Sequence, residues 1–205
     1  QSILHMIDIL YPHGFKYKFD KKFITKLSIE NGVDEIVMKF KPKTILELGS
    51  WLGKSAITFG KECIANKLKT QIVCVDTWLG SYEYWTTYKE RLPTVKDSYQ
   101  SFCSNVVANG LEQMIIPFRQ TAKNAMNIFK FHKINFDLVY WDSDHNSAYE
   151  DIKLAISLLS SHGVIIVDDY YQHDKVKGQV DKFVNEYKIK MEKINDKVIL
   201  RTNKR

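Results

Sequence analysis

Cysteine is scarce in this chain, and its arrangement excludes two common uses of it. The three residues, Cys63, Cys74 and Cys103, are odd in number and form no CxxC pair, so neither a disulfide framework nor a zinc or redox motif is predicted. They read as reduced thiols in or near the core, which fits a reducing compartment. Proline and glycine are also sparse, at 4 and 9 of 205 residues, and no low-complexity tract, internal repeat or Pro/Gly-rich linker divides the chain. No apolar run reaches the roughly 18 residues of a membrane span, and Gln1 to Leu10 lacks a basic stretch followed by a long apolar one. The expectation is a cytoplasmic protein with no membrane partner. The chain begins with Gln and so reads equally as a processed product or as a domain excised from something longer.

The composition that is present describes a globular domain: 44% hydrophobic and 13% aromatic residues, in a length that suits a single unit. The net charge is +6, but the basic residues are mostly Lys, dispersed among acids, which favours a solvated surface over a nucleic-acid face. The densest basic stretch, Lys16 to Lys26, is interleaved with Tyr17, Phe19 and Phe23. It reads as an amphipathic helix or loop with snorkelling lysines.

After an N-terminal segment of about 40 residues with helical patches, short β runs alternate with helical patterns, which defines an α/β class. The predicted strands are 44–48, 71–75, 114–117, 136–141 and 164–167, apolar throughout as a parallel sheet covered on both faces requires. Between them, Ala56, Phe59 and Cys63, and then Ile152, Ala155, Ile156 and Leu159, recur at helical spacing. Ser147 and Glu150 suggest a capping box at the start of the second helix, and Gly163 a left-handed residue after its end. A last helix carries Val176, Val180, Phe183, Val184 and Tyr187, and residues 188–194 and 197–201 around Asn195-Asp196 read as a terminal antiparallel hairpin. One domain over 1–205 is expected, with 1–40 as an N-terminal, substrate-side segment and 43–205 as the core. The stretch 77–96 is the longest irregular one. Its Trp78, Tyr82, Tyr84, Trp85 and Tyr88 suit either a lid over a ligand or a flap packed on its own domain.

Two constellations carry chemistry. The first, Glu47-Leu-Gly49-Ser-Trp-Leu-Gly53-Lys-Ser55, sits where a strand gives way to a helix. Glycine there permits a tight turn and a close approach of backbone amides to a ligand at the positive end of the helix. It is neither GxGxxG nor GxxxxGK[ST], which argues against a dinucleotide or triphosphate site. Asp76 ends the next strand, where an acid commonly takes ribose hydroxyls; the alternative is a cap on the following turn. The second constellation is Asp142 after one strand and Asp168-Asp169 after the next. These strand ends share one sheet edge, and three carboxylates gathered there invite a divalent cation.

The segments ILELGSWLGKSA and QIVCVDTWLGS resemble the first two motifs of class I S-adenosylmethionine-dependent methyltransferases, over roughly 43–187. That resemblance implies a Rossmann-like, mostly parallel seven-stranded sheet with a C-terminal antiparallel hairpin and helices on both faces. It implies a cofactor site at Glu47, Gly49, Ser50, Gly53, Asp76, Thr77, Gln120 and Thr121, with the methionine end near the glycines, the ribose on Asp76 and the adenine near Gln120 and Thr121. The segment FDLVYWDSDHNSAYEDIKLAISLLSSHGVIIVDDYY is similar to metal-dependent O-methyltransferases, both catechol-type and sugar-modifying, the latter more closely through its Asp-x-Asp-His-x-x-x-Tyr form. It implies Mg²⁺ or Mn²⁺ on Asp142, Asp168 and Asp169, with Asp142 also catalytic. His145 stands where catechol-type enzymes carry a lysine base; it reads as the base or as a residue bonding to backbone at the start of a helix. His173 could reach a substrate, although a surface role suits it better. The acceptor expected is a glycan or small-molecule hydroxyl, most specifically that of a sugar such as rhamnose. The competing readings are a metal-dependent glycosyltransferase using Asp142-Ser143-Asp144, a catechol-type enzyme, and a nucleic-acid methyltransferase, which lacks its Asn/Asp-Pro-Pro-aromatic motif here.

Overall fold

The structure is a computed structural model that describes residues 8–13 and 15–201; most of the stretch Gln1 to Leu10, read for its charge and hydropathy pattern, lies outside the described residues. In chain order the elements are α1 (Val33–Phe40), β1 (Thr44–Leu48), α2 (Lys54–Ala65), β2 (Gln71–Asp76), α3 (Tyr82–Thr86), α4 (Leu92–Lys96), α5 (Ser98–Ala108), β3 (Ile115–Arg119), α6 (Ala122–Phe131), β4 (Phe136–Trp141), α7 (Ala148–Ala155), β5 (Leu159–Val167), α8 (Asp174–Tyr187), β6 (Lys190–Ile194) and β7 (Lys197–Arg201). The seven strands form one sheet in the order β3-β2-β1-β4-β5-β7-β6. The first five are parallel, while β7 runs antiparallel to both β5 and β6.

Period-two alternation divides the apolar residues between two faces. Leu46, Leu48, Val73, Val75, Val139 and Val167 pack with α6, α7 and α8. Ile45, Ile72, Cys74, Leu138, Tyr140 and Ile166 pack with α1, α2 and α5. All three cysteines are free and buried. The strand order reverses between β1 and β4, so the crevice beyond their carboxyl ends is where such a sheet binds ligands. Among the described residues no helix is long and apolar enough to cross a membrane.

Several local expectations fail for physical reasons. Gly163 does not end a helix: α7 stops at Ala155, a short 3₁₀ turn follows, and Gly163 lies inside β5. It is glycine because a Cβ there would approach the Phe136 carbonyl oxygen to 2.8 Å. Ser147 precedes α7 without capping it; its hydroxyl donates to Asp144 O and to Asp151 Oδ2 at 2.7 Å. The basic stretch 16–26 is extended apart from one 3₁₀ turn, Lys21–Phe23. It straps α5 and the sheet through Tyr17 Oη donating to Ile115 O (2.6 Å) and Thr25 N to Asn105 Oδ1 (2.9 Å). The stretch 77–96 is not irregular but folds into α3, a 3₁₀ turn and α4.

Candidate active site

Hydrogen bonding continues one residue past the strand ends and fixes the site's backbone. Gly49 N donates to Val75 O and Asp142 N to Leu48 O, both at 2.9 Å, and Asp168 N donates to Trp141 O at 3.0 Å. Gly49 has φ +88°, and a Cβ built on it would lie 1.8 Å from the Asp142 carbonyl oxygen. The glycine therefore makes room for the neighbouring loop, and it also lines both cavities described below. Gly53, also left-handed at φ +88°, packs against the Phe102 ring.

Asp76 organises two loops at once. Its Oδ2 accepts from Ser50 N (3.0 Å) and Trp51 N (2.8 Å), and its Oδ1 from Trp78 N (2.7 Å). Trp51 and Trp78 both sit at positive φ, 43° and 54°, a conformation that costs a bulky residue on the order of 1 kcal/mol and needs such anchoring. The indole of Trp78 donates to Trp51 O at 2.6 Å and is buried against Tyr99 and Phe102. Of the five aromatics in 77–96, Trp78 is therefore core, while Tyr84 and Tyr88 face the cleft. Asp76→Ala should cost about 1–3 kcal/mol of stability without any ligand present, because three amides lose a charged acceptor. Urea unfolding of the free protein measures this; an unchanged midpoint would leave ligand binding as the only role of Asp76.

Two cavities open at this edge. The larger, about 880 Å³, is lined by Asp76, Thr77, Gln120 and Thr121 on one side and by His145 and His173 on the other, under Tyr84 and Tyr88. The smaller, about 440 Å³, is lined by Glu30, Ser50, Lys54, Ser55, Asp168 and Asp169. Gly49, Trp51 and Asp142 line both. Of the residues expected to hold the cofactor, Gly49, Asp76, Thr77, Gln120 and Thr121 thus face the large cleft and Ser50 the small one, while Glu47 and Gly53 line neither. Thr121 also caps α6 through Asn124 N, and Gln120 N donates to Asp76 O. Glu47 is wholly buried on the α2 face of β1. Its carboxyl oxygens and Ser50 Oγ make no hydrogen bond of good geometry among the described residues; burial raises the Glu47 pKa, and the nearby Ser50 and Ser55 hydroxyls and Cys74 thiol only partly offset this.

The three acids meet at the edge but are not equivalent. Asp142 faces both cavities. The protein around it, and then Asp168, Asp169, Glu47 and Glu30, push its pKa well above the ordinary carboxylate range. Asp168 is buried and committed: Oδ2 accepts from Tyr140 Oη (2.7 Å), and Oδ1 accepts from Asp169 N (2.9 Å) and faces Lys197 Nζ at 3.2 Å. Lys197, on β7, is fully buried and also reaches Glu30 (3.0 Å) and Asp196 (2.9 Å). Glu30 is held in turn by Lys54 at 2.7 Å. Asp169, at φ +57°, turns instead to His145, whose Nε2 lies 3.1 Å from its Oδ2. That hydrogen bond raises the His145 pKa and lowers that of Asp169. The second acid of the DxD form, Asp144, bends back to accept from Asn146 N and Nδ2 in its own turn, which does not suit a sugar-nucleotide site. Glu30 and Lys197 escaped the sequence reading, and Lys54 entered it only as part of the Gly53-Lys54-Ser55 turn; the placement of a charged residue within an apolar β run, as with Lys197 in KVILR, was the one hint of the cluster.

The sheet order and the crevice define a Rossmann-like class I methyltransferase fold. The chain belongs to the methyltransferase-domain family, which matches residues 46–170. Solved structures share the fold at low identity. An O-methyltransferase from Bacillus cereus, described in complex with SAH, is 14% identical with a TM-score of 0.59, covering 96% of each chain. TomG from Streptomyces achromogenes, an O-methyltransferase of tomaymycin synthesis described in complex with SAM, is 14% identical with a TM-score of 0.58 over 98% of each chain. The O-methyltransferase NovP is 18% identical, with a TM-score of 0.62 over 82% of this chain and 76% of its own. No curated protein sequence matches the chain.

Proposed function

We propose that the protein is an S-adenosylmethionine-dependent O-methyltransferase acting on a hydroxyl, most specifically a sugar hydroxyl of a glycan or glycosylated small molecule. The observation that carries this reading is the pair of cavities joined at Gly49, Trp51 and Asp142. The residues fit the cofactor. Asp76, Gln120 and Thr121 offer polar partners to a nucleoside in the large cleft. Lys54 and the start of α2 suit a carboxylate in the small cavity, and its acids suit an ammonium. When bound, the cofactor supplies an electrophilic methyl on a sulfonium.

Asp142 lies where the two cavities meet; burial and its acidic neighbours make it a stronger base than an ordinary carboxylate, and in its ionised form it accepts the acceptor's hydroxyl proton. With the cofactor held across the two cavities, the deprotonated oxygen would be positioned toward its methyl group. Tyr84 and Tyr88 line the large cleft and offer aromatic faces to its ligands. Asp142, Ser143, His145 and Glu150 in the large cleft offer hydrogen-bond partners to a polyhydroxylated acceptor. Calorimetric titration with S-adenosylmethionine, followed by a screen of glycosides and catechols, tests the proposal. Asp142→Asn should lower kcat by about 10²–10⁴ while the cofactor affinity stays within about threefold, less than 1 kcal/mol. Absence of cofactor binding to the folded wild type overturns the reading, and methylation of catechols alone overturns the choice of acceptor.

A further inference from the structure

Asp168 has its oxygens engaged by Tyr140, Lys197 and the Asp169 amide, so the cationic partner of this acid is already part of the chain. An oxygen-only Mg²⁺ site on Asp142, Asp168 and Asp169 would have to break that arrangement. One residue further on, a different donor set converges. Asp169 Oδ2 stands 3.1 Å from His145 Nε2 and 3.9 Å from His173 Nε2, and one donor atom from each of the three residues lies within 4.8 Å of the others.

We propose that His145, Asp169 and His173 form a divalent transition-metal site at the wall of the large cleft. Neighbouring donors on one ion, with bonds of about 2.1 Å, are about 3.0–3.4 Å apart; the His145–Asp169 separation already matches this, and the His173 imidazole must move in to complete the set. Two imidazoles and one carboxylate select Mn²⁺, Fe²⁺, Co²⁺ or Zn²⁺ over Mg²⁺, which prefers oxygen donors, and they leave coordination positions open on the cleft side. The backbone builds the set deliberately. Asp169 takes a left-handed φ of 57°, and His173 N donates to Asp169 O at 2.9 Å, which folds His173 back over the carboxylate. The two imidazole rings lie 4.2 Å apart. From α8, Gln179 Nε2 donates to His145 O at 2.7 Å and Gln179 Oε1 accepts from Tyr149 N at 3.2 Å, fastening the other histidine to the same helix. His145 is then a ligand, and the proton-accepting role stays with Asp142.

Binding of the ion stands without the methyl-transfer reading; only its service to an acceptor hydroxyl rests on that reading. Tag-free protein, stripped with chelator, is titrated with Co²⁺ and followed by visible absorption. One equivalent should bind with ligand-field bands, and His145→Ala and His173→Ala should each weaken binding at least tenfold while His162→Ala leaves it unchanged. Excess Mg²⁺ should not displace the Co²⁺. Circular dichroism confirms that the two histidine variants, both at partly exposed positions, remain folded. Failure to bind Co²⁺ overturns the proposal, as does Co²⁺ binding that both histidine variants retain but Asp168→Asn loses. S-adenosylmethionine titration of the same samples separates the two readings, because loss of cofactor binding with Co²⁺ binding intact would sink only the methyl-transfer proposal.

Discussion

Replacing Lys197 by methionine is expected to cost about 3–5 kcal/mol of stability, the scale of breaking a buried ion pair from one side. The ammonium has no exposed surface and lies 2.9–3.2 Å from Asp196, Glu30 and Asp168. Burial alone would lower its pKa, yet Asp168, Asp196 and Glu30 outweigh that and hold it well above the usual lysine range. Because the folded-state pKa is raised, the contribution is fully present below the unfolded lysine value of about 10.4 and is lost only as pH rises above it. The cost should therefore be the same at pH 6 and pH 8. Methionine fills similar volume, so the loss measures stranded carboxylates and not a cavity. Adding Asp168→Asn to Lys197→Met should recover part of the loss, as removing the second partner of a coupled pair does. Urea unfolding of the single and double variants gives the values; a single-variant cost below about 1 kcal/mol would mean that the acids are solvated and the cluster is not what positions Asp168.

This cluster also marks where the sequence stops being readable. The apolar runs of β1, β2 and β4 announce themselves because a doubly covered parallel sheet admits little else, and the acids at their carboxyl ends follow from that placement. The sharing of a site by Glu30, Lys54 and Lys197 does not. Glu30 arrives on an extended strap whose docking depends on Asn105 and Thr58, and Lys197 arrives from the far hairpin because β7 inserts between β5 and β6. Such tertiary neighbours leave no local period or spacing in the chain. The acidic trio was legible as residues sharing an edge, but not as three different environments. Asp168 faces inward to Tyr140 and Lys197, whereas Asp169, one residue on, adopts positive φ and faces the histidines. The split of the 77–96 aromatics into a core Trp78 and cleft-facing tyrosines likewise depends on the Asp76 carboxylate pinning two loops together.

Gly49→Ala is the second substitution with a large expected effect, about 2–4 kcal/mol. Part of this is the strain of an L-residue at φ +88°, and part is overpacking, worth about 1–3 kcal/mol in a well-packed site. The added carbon would lie 1.8 Å from Asp142 O, 2.6 Å from Asp142 C and 3.0 Å from Ser143 Cα. All three are backbone atoms, so no rotamer change relieves the clash. The Asp142 loop must move, and it is held by Asp142 N donating to Leu48 O at 2.9 Å. Displacing that loop also moves the carboxylate on which both cavities converge, so cofactor affinity and turnover should fall together with stability. The order of effects separates this account from a glycine reserved for ligand approach. A ligand-reserved glycine predicts an alanine variant as stable as wild type in the absence of S-adenosylmethionine but deficient in binding it. A glycine that yields space to Asp142 predicts a lowered unfolding midpoint in the free protein, before any cofactor is added.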